Sequence, residues 1–196
     1  MVAPVGPIRH LPNAISALRI LAAPVLVALA LTGHATAFAA VIVPALVSDI
    51  VDGYLARRLR LTSALGAMLD SIADLLLFAV AVIGIACFHP ELLEHHRLAG
   101  GILLAGWLGE PLVALVRYGR ISSFHTYASK VVAYLLGFMV AVLFVWGLPD
   151  ALFYAAVGAG ILASVEEFLL IALLPEWRAD VRGIYWVLRE ARGATA

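Results

Sequence analysis

The chain has 196 residues, of which 64% are hydrophobic and 13% are charged. A soluble domain is nearer half apolar and a quarter charged, so a single globular core of this size cannot hide the surplus. Thirteen basic residues balance thirteen acidic ones, which excludes a bulk electrostatic attraction to nucleic acid.

A helix needs about 20 mostly apolar residues to cross the hydrocarbon core of a bilayer. Six stretches meet this, at roughly 14–33, 37–57, 64–88, 98–118, 127–147 and 151–174. Short turn-rich breaks such as Thr32-Gly33-His34 and Gly147-Leu148-Pro149-Asp150 separate some of them and suit antiparallel neighbours. The pattern predicts an all-α integral membrane bundle of six transmembrane helices over residues 1–175, entered through an amphipathic N-terminal segment. Residues 20–31 followed by Ala35-Thr36-Ala37 also have the look of a signal peptide's apolar core and cleavage site. Arg19 directly beside that core argues for a retained helix instead. Cys87 lies in the third stretch and is the one cysteine, so an internal disulfide is excluded and packing is its expected role. Residues 176–196 carry mixed charge with Trp177, Tyr185 and Trp186, which suits a tail lying at the membrane interface.

Lysine and arginine set the expected orientation. Arg9, then Arg57, Arg58 and Arg60, then Arg117, Arg120 and Lys130, then the arginines of the tail fall on one side. Arg97 alone falls on the other. Both termini are therefore expected in the cytoplasm, with the protein in the cell's inner, cytoplasmic membrane.

Against this apolar background four aspartates stand out. Asp49 and Asp52 come late in the second stretch, and Asp70 and Asp74 come early in the third. Ionisable groups in membrane helices are expensive and usually functional. Spacings of three and four residues put each pair on one helix face. Two antiparallel neighbours would converge these carboxylates near the cytoplasmic surface, where their mutual repulsion calls for cations. An all-oxygen donor set suits hard ions such as Mg2+ or Mn2+ rather than zinc. Gly53, Ala56 and Gly66 leave room beside the carboxylates, and Arg57 can clamp a phosphate through two parallel hydrogen bonds. The simpler alternative is a set of helix-end charges reaching for the interface, and four aspartates at such fixed spacing speak against it.

The pattern Asp49-x-x-Asp52-Gly53-x-x-Ala56-Arg57, then residues 58–65, then Gly66-x-x-x-Asp70-x-x-x-Asp74 resembles the signature of the CDP-alcohol phosphatidyltransferase family at every fixed position. The resemblance implies transfer of a phosphate-linked group from a CDP-activated donor to an alcohol, with release of CMP. It implies that Asp49, Asp52 and Asp70 hold two Mg2+ or Mn2+ ions. Asp74 would be the base for the acceptor hydroxyl and would also reach a metal. Gly53, Ala56, Arg57 and Gly66 would line the CDP pocket. The implied partners are CDP-diacylglycerol, a polar alcohol and the bilayer, without nucleic acid, and a homodimer is compatible with such a bundle.

Weaker likenesses point to the phosphatidylglycerophosphate synthase branch. Pro12-Asn13 with Arg19 is similar to the entry of its first helix, and Glu110 with Arg117 is similar to a pair in its fourth. Lys130 lies near its glycine-lysine-x-lysine-threonine segment, which here reads Ser129-Lys130-Val131-Val132-Ala133. Glu110, Arg117 and Lys130 are therefore the candidate acceptor residues, with glycerol 3-phosphate as the first choice of acceptor. Inositol phosphate, another polyol or a phospholipid stays open, because the second lysine is absent and Leu75 follows Asp74 where lysine is common. A cation-binding membrane transporter is the rival class, and it would favour acidic groups near the midplane and internal symmetry.

Three further features have ordinary expectations. His89, Glu91, Glu94, His95 and His96 are read as a solvated loop rather than a metal cluster. Glu166 and Glu167 are adjacent, cannot share a helix face, and are expected to be structural. Gly100, Gly101, Gly106, Gly109, Gly158, Gly160 and Ser164 are expected to let helices pack closely.

Overall fold

A computed structural model describes residues 11–59, 64–120, 124, 126–178 and 181–193. Among these residues every regular element is a helix. In chain order they are α1 (Leu11–Leu31), α2 (Ala35–Leu59), α3 (Ala64–Phe88), α4 (Pro90–His95), α5 (Arg97–Tyr118), α6 (Tyr127–Trp146), α7 (Asp150–Leu173) and α8 (Ile184–Gly193). Five of them, α1, α3, α5, α6 and α7, are long and apolar enough to cross a membrane. Within α2 the described apolar stretch is Ala35–Asp49, and the sequence continues through Ile50 and Val51 into the rest of the acidic motif. Pro24, Pro44 and Pro111 sit inside helices, which membrane helices tolerate when neighbours re-satisfy the freed carbonyls.

The chain falls into two compact units, Met1–His95 with Val140–Gly147, and His96–Met139 with Leu148–Ala196. In the first unit α1 packs on both α2 and α3. Gly33 takes φ 77°, a left-handed conformation open to glycine at little cost, and lets the chain reverse between α1 and α2. The buried stripe of α1 runs Ser16, Arg19, Ala23, Leu26, Ala30. That of α2 is Phe38, Ile42, Ala45, and that of α3 is Ala73, Leu77, Val80, Ala81. These spacings are the alternation of three and four that one helix face requires. At one end of the trio the small and aliphatic residues give way to charge: Arg19 on α1, Asp49 one turn beyond Ala45, and Asp70 with Asp74 beside Ala73. At the other end the stripe closes on aromatics, with the Phe38 ring 5.3 Å from Phe88 and 4.9 Å from Phe144 between centroids.

In the second unit α5 packs on α7. Close approach depends on small residues: Gly106 faces Ser164, Gly160 faces Leu103, and Gly109 faces Phe168. Gly100, Gly101 and Gly158 face open space instead, so only part of the glycine pattern serves packing. Ala114, Phe124, Leu170, Ile171, Leu174 and Val181 form a buried cluster, and Ile184 and Val187 of α8 lie against it. The tail is thus a short helix with one apolar face seated on the unit and Tyr185 and Arg189 exposed.

The histidine-rich segment differs from expectation. Residues 90–95 form α4, and His96 is buried rather than solvated. Its ring stacks on Phe153 with centroids 4.1 Å apart, and its Nδ1 lies 3.0 Å from the Tyr154 hydroxyl. The aromatic pair sits on α7, far along the chain, so nothing local in the histidine segment announced it.

The packing makes a contrast between two glycines. A Cβ on Gly84 would run into the Phe38 ring, which Phe88 and Phe144 hold in place, whereas one on Gly158 would meet open space. Gly84→Ala should destabilise the protein by about 1–3 kcal/mol through overpacking. Gly158→Ala should be neutral or stabilise by up to about 1 kcal/mol. Thermal unfolding of both variants in one detergent checks this, and equal melting temperatures would count against the packing described.

Candidate metal centre

The charged end of the α1–α2–α3 trio is built from three helices that each place a side chain by simple periodicity. Asp49 continues the buried face of α2, and Asp70 and Asp74, one turn apart, share a face of α3. One oxygen from each of Asp49, Asp70 and Asp74 lies within 4.8 Å of the other two. Among the described residues, the histidines and glutamates of residues 89–96 form no comparable grouping.

Arg19 of α1 holds this group from the inside. Its Nη1 donates to Oδ1 of Asp49 and, at 2.9 Å, to Oδ1 of Asp74, while its Nη2 donates at 2.7 Å to Oδ1 of Asp70. Arginine's planar fork presents several donors at once, which a single ammonium cannot do in the same geometry. The exposures form a gradient. The Arg19 side chain is 2% exposed, Asp49 34%, Asp70 45% and Asp74 51%. The guanidinium is therefore the floor of the site and the carboxylates its open rim. Three formal negative charges against one positive leave a formal charge of −2 on these four side chains. An outward-facing, oxygen-only rim with residual negative charge fits a hard divalent cation and does not fit zinc or copper.

The other expected donor-side residues divide. Gly66 is half-buried on α3, one turn before Asp70. Asp52, Gly53, Ala56 and Arg57 lie on α2, and their side chains are outside the described residues. Arg19 is the contributor that sequence reasoning missed. In the sequence it stands only as part of a helix entry beside Pro12-Asn13. The available signal was its place on the face of Ala23, Leu26 and Ala30, where only a paired charge belongs.

The expected acceptor residues belong to the second unit. Glu110 is buried on α5 just before Pro111. Arg117 Nη2 donates to the carbonyls of Ala172 and Leu174 at 3.3 and 3.4 Å, and the Tyr118 hydroxyl donates to those of Ile171 and Leu174 at 2.8 and 2.9 Å. These carbonyls end α7 and would otherwise lack partners, and a cation there is favoured by the helix dipole. Lys130 is exposed in the first turn of α6, its Nζ 6.0 Å from the Tyr127 ring centroid. Thr126 starts that helix as an N-cap, its Oγ1 accepting from Ser129 N–H at 3.0 Å. Glu166 Oε1 accepts the Ile184 N–H at 3.0 Å and so caps the first turn of α8.

The fold and the carboxylate rim together define a helical protein with several membrane-length helices and, at one end of three packed helices, three carboxylates that could hold a divalent cation. The chain belongs to the CDP-alcohol phosphatidyltransferase family, whose profile matches residues 9–171. Over 83 residues, 41% of this chain, it is 40% identical to the chloroplastic/mitochondrial CDP-diacylglycerol–glycerol-3-phosphate 3-phosphatidyltransferase 1 of Arabidopsis thaliana. Over 86 residues, 42% of the chain, it is 37% identical to the CDP-diacylglycerol–glycerol-3-phosphate 3-phosphatidyltransferase of Pseudomonas fluorescens. The matched stretch spans 28% of the first relative and 44% of the second, less than half of either. No solved structure matches the chain significantly.

If the rim binds a divalent cation, Asp49→Asn and Asp70→Asn should each weaken it about ten- to a hundredfold, the scale of a lost charge-assisted contact. Glu91→Gln on α4 should change nothing. Titration of purified protein with Mn2+, read by electron paramagnetic resonance, measures this. Unchanged affinity in both aspartate variants would place the cation elsewhere.

Proposed function

We propose that this protein transfers the phosphatidyl group of CDP-diacylglycerol to the hydroxyl of a polar alcohol, glycerol 3-phosphate in the first instance, and releases CMP. The observation that carries this is the convergence of Asp49, Asp70 and Asp74 at one end of α1–α3, inside the segment that carries the family signature. The names of the relatives support the choice of acceptor. Residues 1–175 would form the catalytic membrane domain and 176–196 its interfacial tail. The distribution of lysine and arginine supports a cytoplasmic site in the inner membrane.

Asp49, Asp52 and Asp70 would hold two Mg2+ or Mn2+ ions, with Asp74 at their edge. Bound there, the ions would supply positive charge to the diphosphate as its bond to CMP breaks. Gly53, Ala56 and Gly66 would leave space for the cytosine and ribose, and Arg57 would pair with a diphosphate oxygen. Asp74 is the most exposed of the three carboxylates and is the one best placed to meet an acceptor entering from the aqueous side. The acceptor hydroxyl oxygen bonds to the phosphatidyl phosphorus, the phosphorus–oxygen bond to CMP breaks, and the hydroxyl proton passes to Asp74. The acyl chains can remain in the bilayer throughout.

Glu110, Arg117 and Lys130 would form the acceptor's subsite. The hydrogen bonds that Arg117 makes to the α7 carbonyls are long, at 3.3 and 3.4 Å. A phosphate oxygen, at a typical charge-assisted distance of about 2.8 Å, is the stronger partner and can draw the guanidinium away.

Purified protein supplied with CDP-diacylglycerol, glycerol 3-phosphate and Mg2+ should release CMP, and excess chelator should silence it. Asp74→Asn keeps the shape of the side chain but not its basicity and should lower the rate by about two orders of magnitude or more. No CMP under any metal and acceptor condition would favour the transporter reading. A fully active Asp74→Asn would move the base elsewhere.

Arg117→Gln and Lys130→Gln should raise the acceptor's KM about ten- to a hundredfold and leave that of the CDP donor nearly unchanged. Steady-state kinetics with each substrate varied in turn separates the possibilities. Loss of α7 capping alone would lower stability and affect both substrates alike, and that result would remove these residues from the subsite.

A further inference from the structure

Arg19 reaches the same three carboxylates that form the rim of the site, and it reaches them from the protein side. A guanidinium and a divalent cation answer the same need, since both supply positive charge to oxygens that repel one another. The two are also rivals, because each lowers the negative potential that attracts the other. Arg19 is not placed to leave. Its side chain is 2% exposed, on a helix face that continues through Ala23, Leu26 and Ala30 into the core of the first unit. The carboxylates, exposed by a third to a half, are open on the opposite side.

We propose that Arg19 is a resident counterion of the metal centre. It keeps Asp49, Asp70 and Asp74 gathered when metal is stripped away, and it sets metal affinity lower than the carboxylates alone would give. It is a positioning residue and meets no reacting atom. The role follows from the burial gradient. A cation fixed at the floor holds the three helices in register, so metal can enter and leave at the rim without the site coming apart. The inference rests on the metal reading of the site proposed above.

The consequence is a linkage between metal and stability. Ligand that binds the folded state stabilises it by an amount that grows with the logarithm of ligand concentration relative to Kd. In the wild type the gain from metal should be small, because Arg19 already compensates part of the charge. Arg19→Met removes the cation that the described residues place against these carboxylates, so the fold should lean on metal.

The test is thermal unfolding of the purified full chain, wild type and Arg19→Met, in excess chelator and in saturating Mg2+, with Mn2+ binding followed separately by electron paramagnetic resonance. In chelator the variant should melt about 10 °C below the wild type. In Mg2+ that gap should close by more than half, and the variant should bind Mn2+ more tightly than the wild type. An equal gap in both conditions would make Arg19 an ordinary packing residue and overturn the proposal, as would no gap at all. If Arg19→Met yields no folded protein, Arg19→Lys serves, since it keeps the charge but loses the fork. It should show the same pattern at smaller size, and a gap indifferent to metal would again overturn the role. Failure of the wild type to bind Mn2+ at all would overturn the metal reading itself, and the counterion role with it.

Discussion

Charge repulsion among carboxylates is the constraint around which the first unit is organised. Three aspartates from two helices share one small volume beside an apolar core, and such a grouping pushes its helices apart unless a cation lies within it. The Arg19 guanidinium meets that need from a third helix, and the result ties α1, α2 and α3 together at their polar end. At the apolar end the same three-way packing is completed by Phe38, Phe88 and Phe144 with Gly84 clearing space for the ring. One end of the trio is fixed by electrostatics and the other by shape. The side of the aspartates away from Arg19 is left open.

The sequence of α2 begins apolar and ends ionic, with Asp49 and Asp52 followed by Arg57 and Arg58. A helix that is apolar along one part and carries clustered charge along another has to change character along its length. The second unit solves a different problem. Its glycines bring α5 and α7 close, and its polar side chains are largely spent on helix ends: Arg117 and Tyr118 on α7, Thr126 on α6, and Glu166 on α8. In an apolar surrounding, an unpaired helix terminus is costly, so capping is where such side chains are needed.

Much of this was legible in the sequence, for identifiable reasons. The helices were legible because length and hydropathy decide them. The pairing of Asp70 with Asp74 was legible because it is local, set by one turn of one helix. The role of Arg19 was not, because it depends on which helices pack and at what height, and a lone arginine near a helix start looks like an interfacial anchor. His96 was misjudged for the same reason, since Phe153 and Tyr154, which enclose it, come from α7. Glu166 caps α8 only because the chain folds back after Leu174, and the Glu166-Glu167 pair could not reveal this. The glycines were half-legible: composition marked the close-packing helices but could not tell Gly160, against Leu103, from Gly158, against open space.

Phosphatidyl transfer at a carboxylate site gathered by a buried arginine is open to a direct test, mass analysis of the lipid product. Protein in bilayers containing CDP-diacylglycerol would be offered glycerol 3-phosphate, inositol phosphate, a simple polyol and a phospholipid in separate reactions. One new lipid should form, with the mass of the phosphatidyl group joined to glycerol phosphate, together with CMP in equal amount, and none when metal is removed. Transfer to a different acceptor would correct the subsite alone. Donor left intact in every reaction, or consumed without any new lipid, would contradict the account.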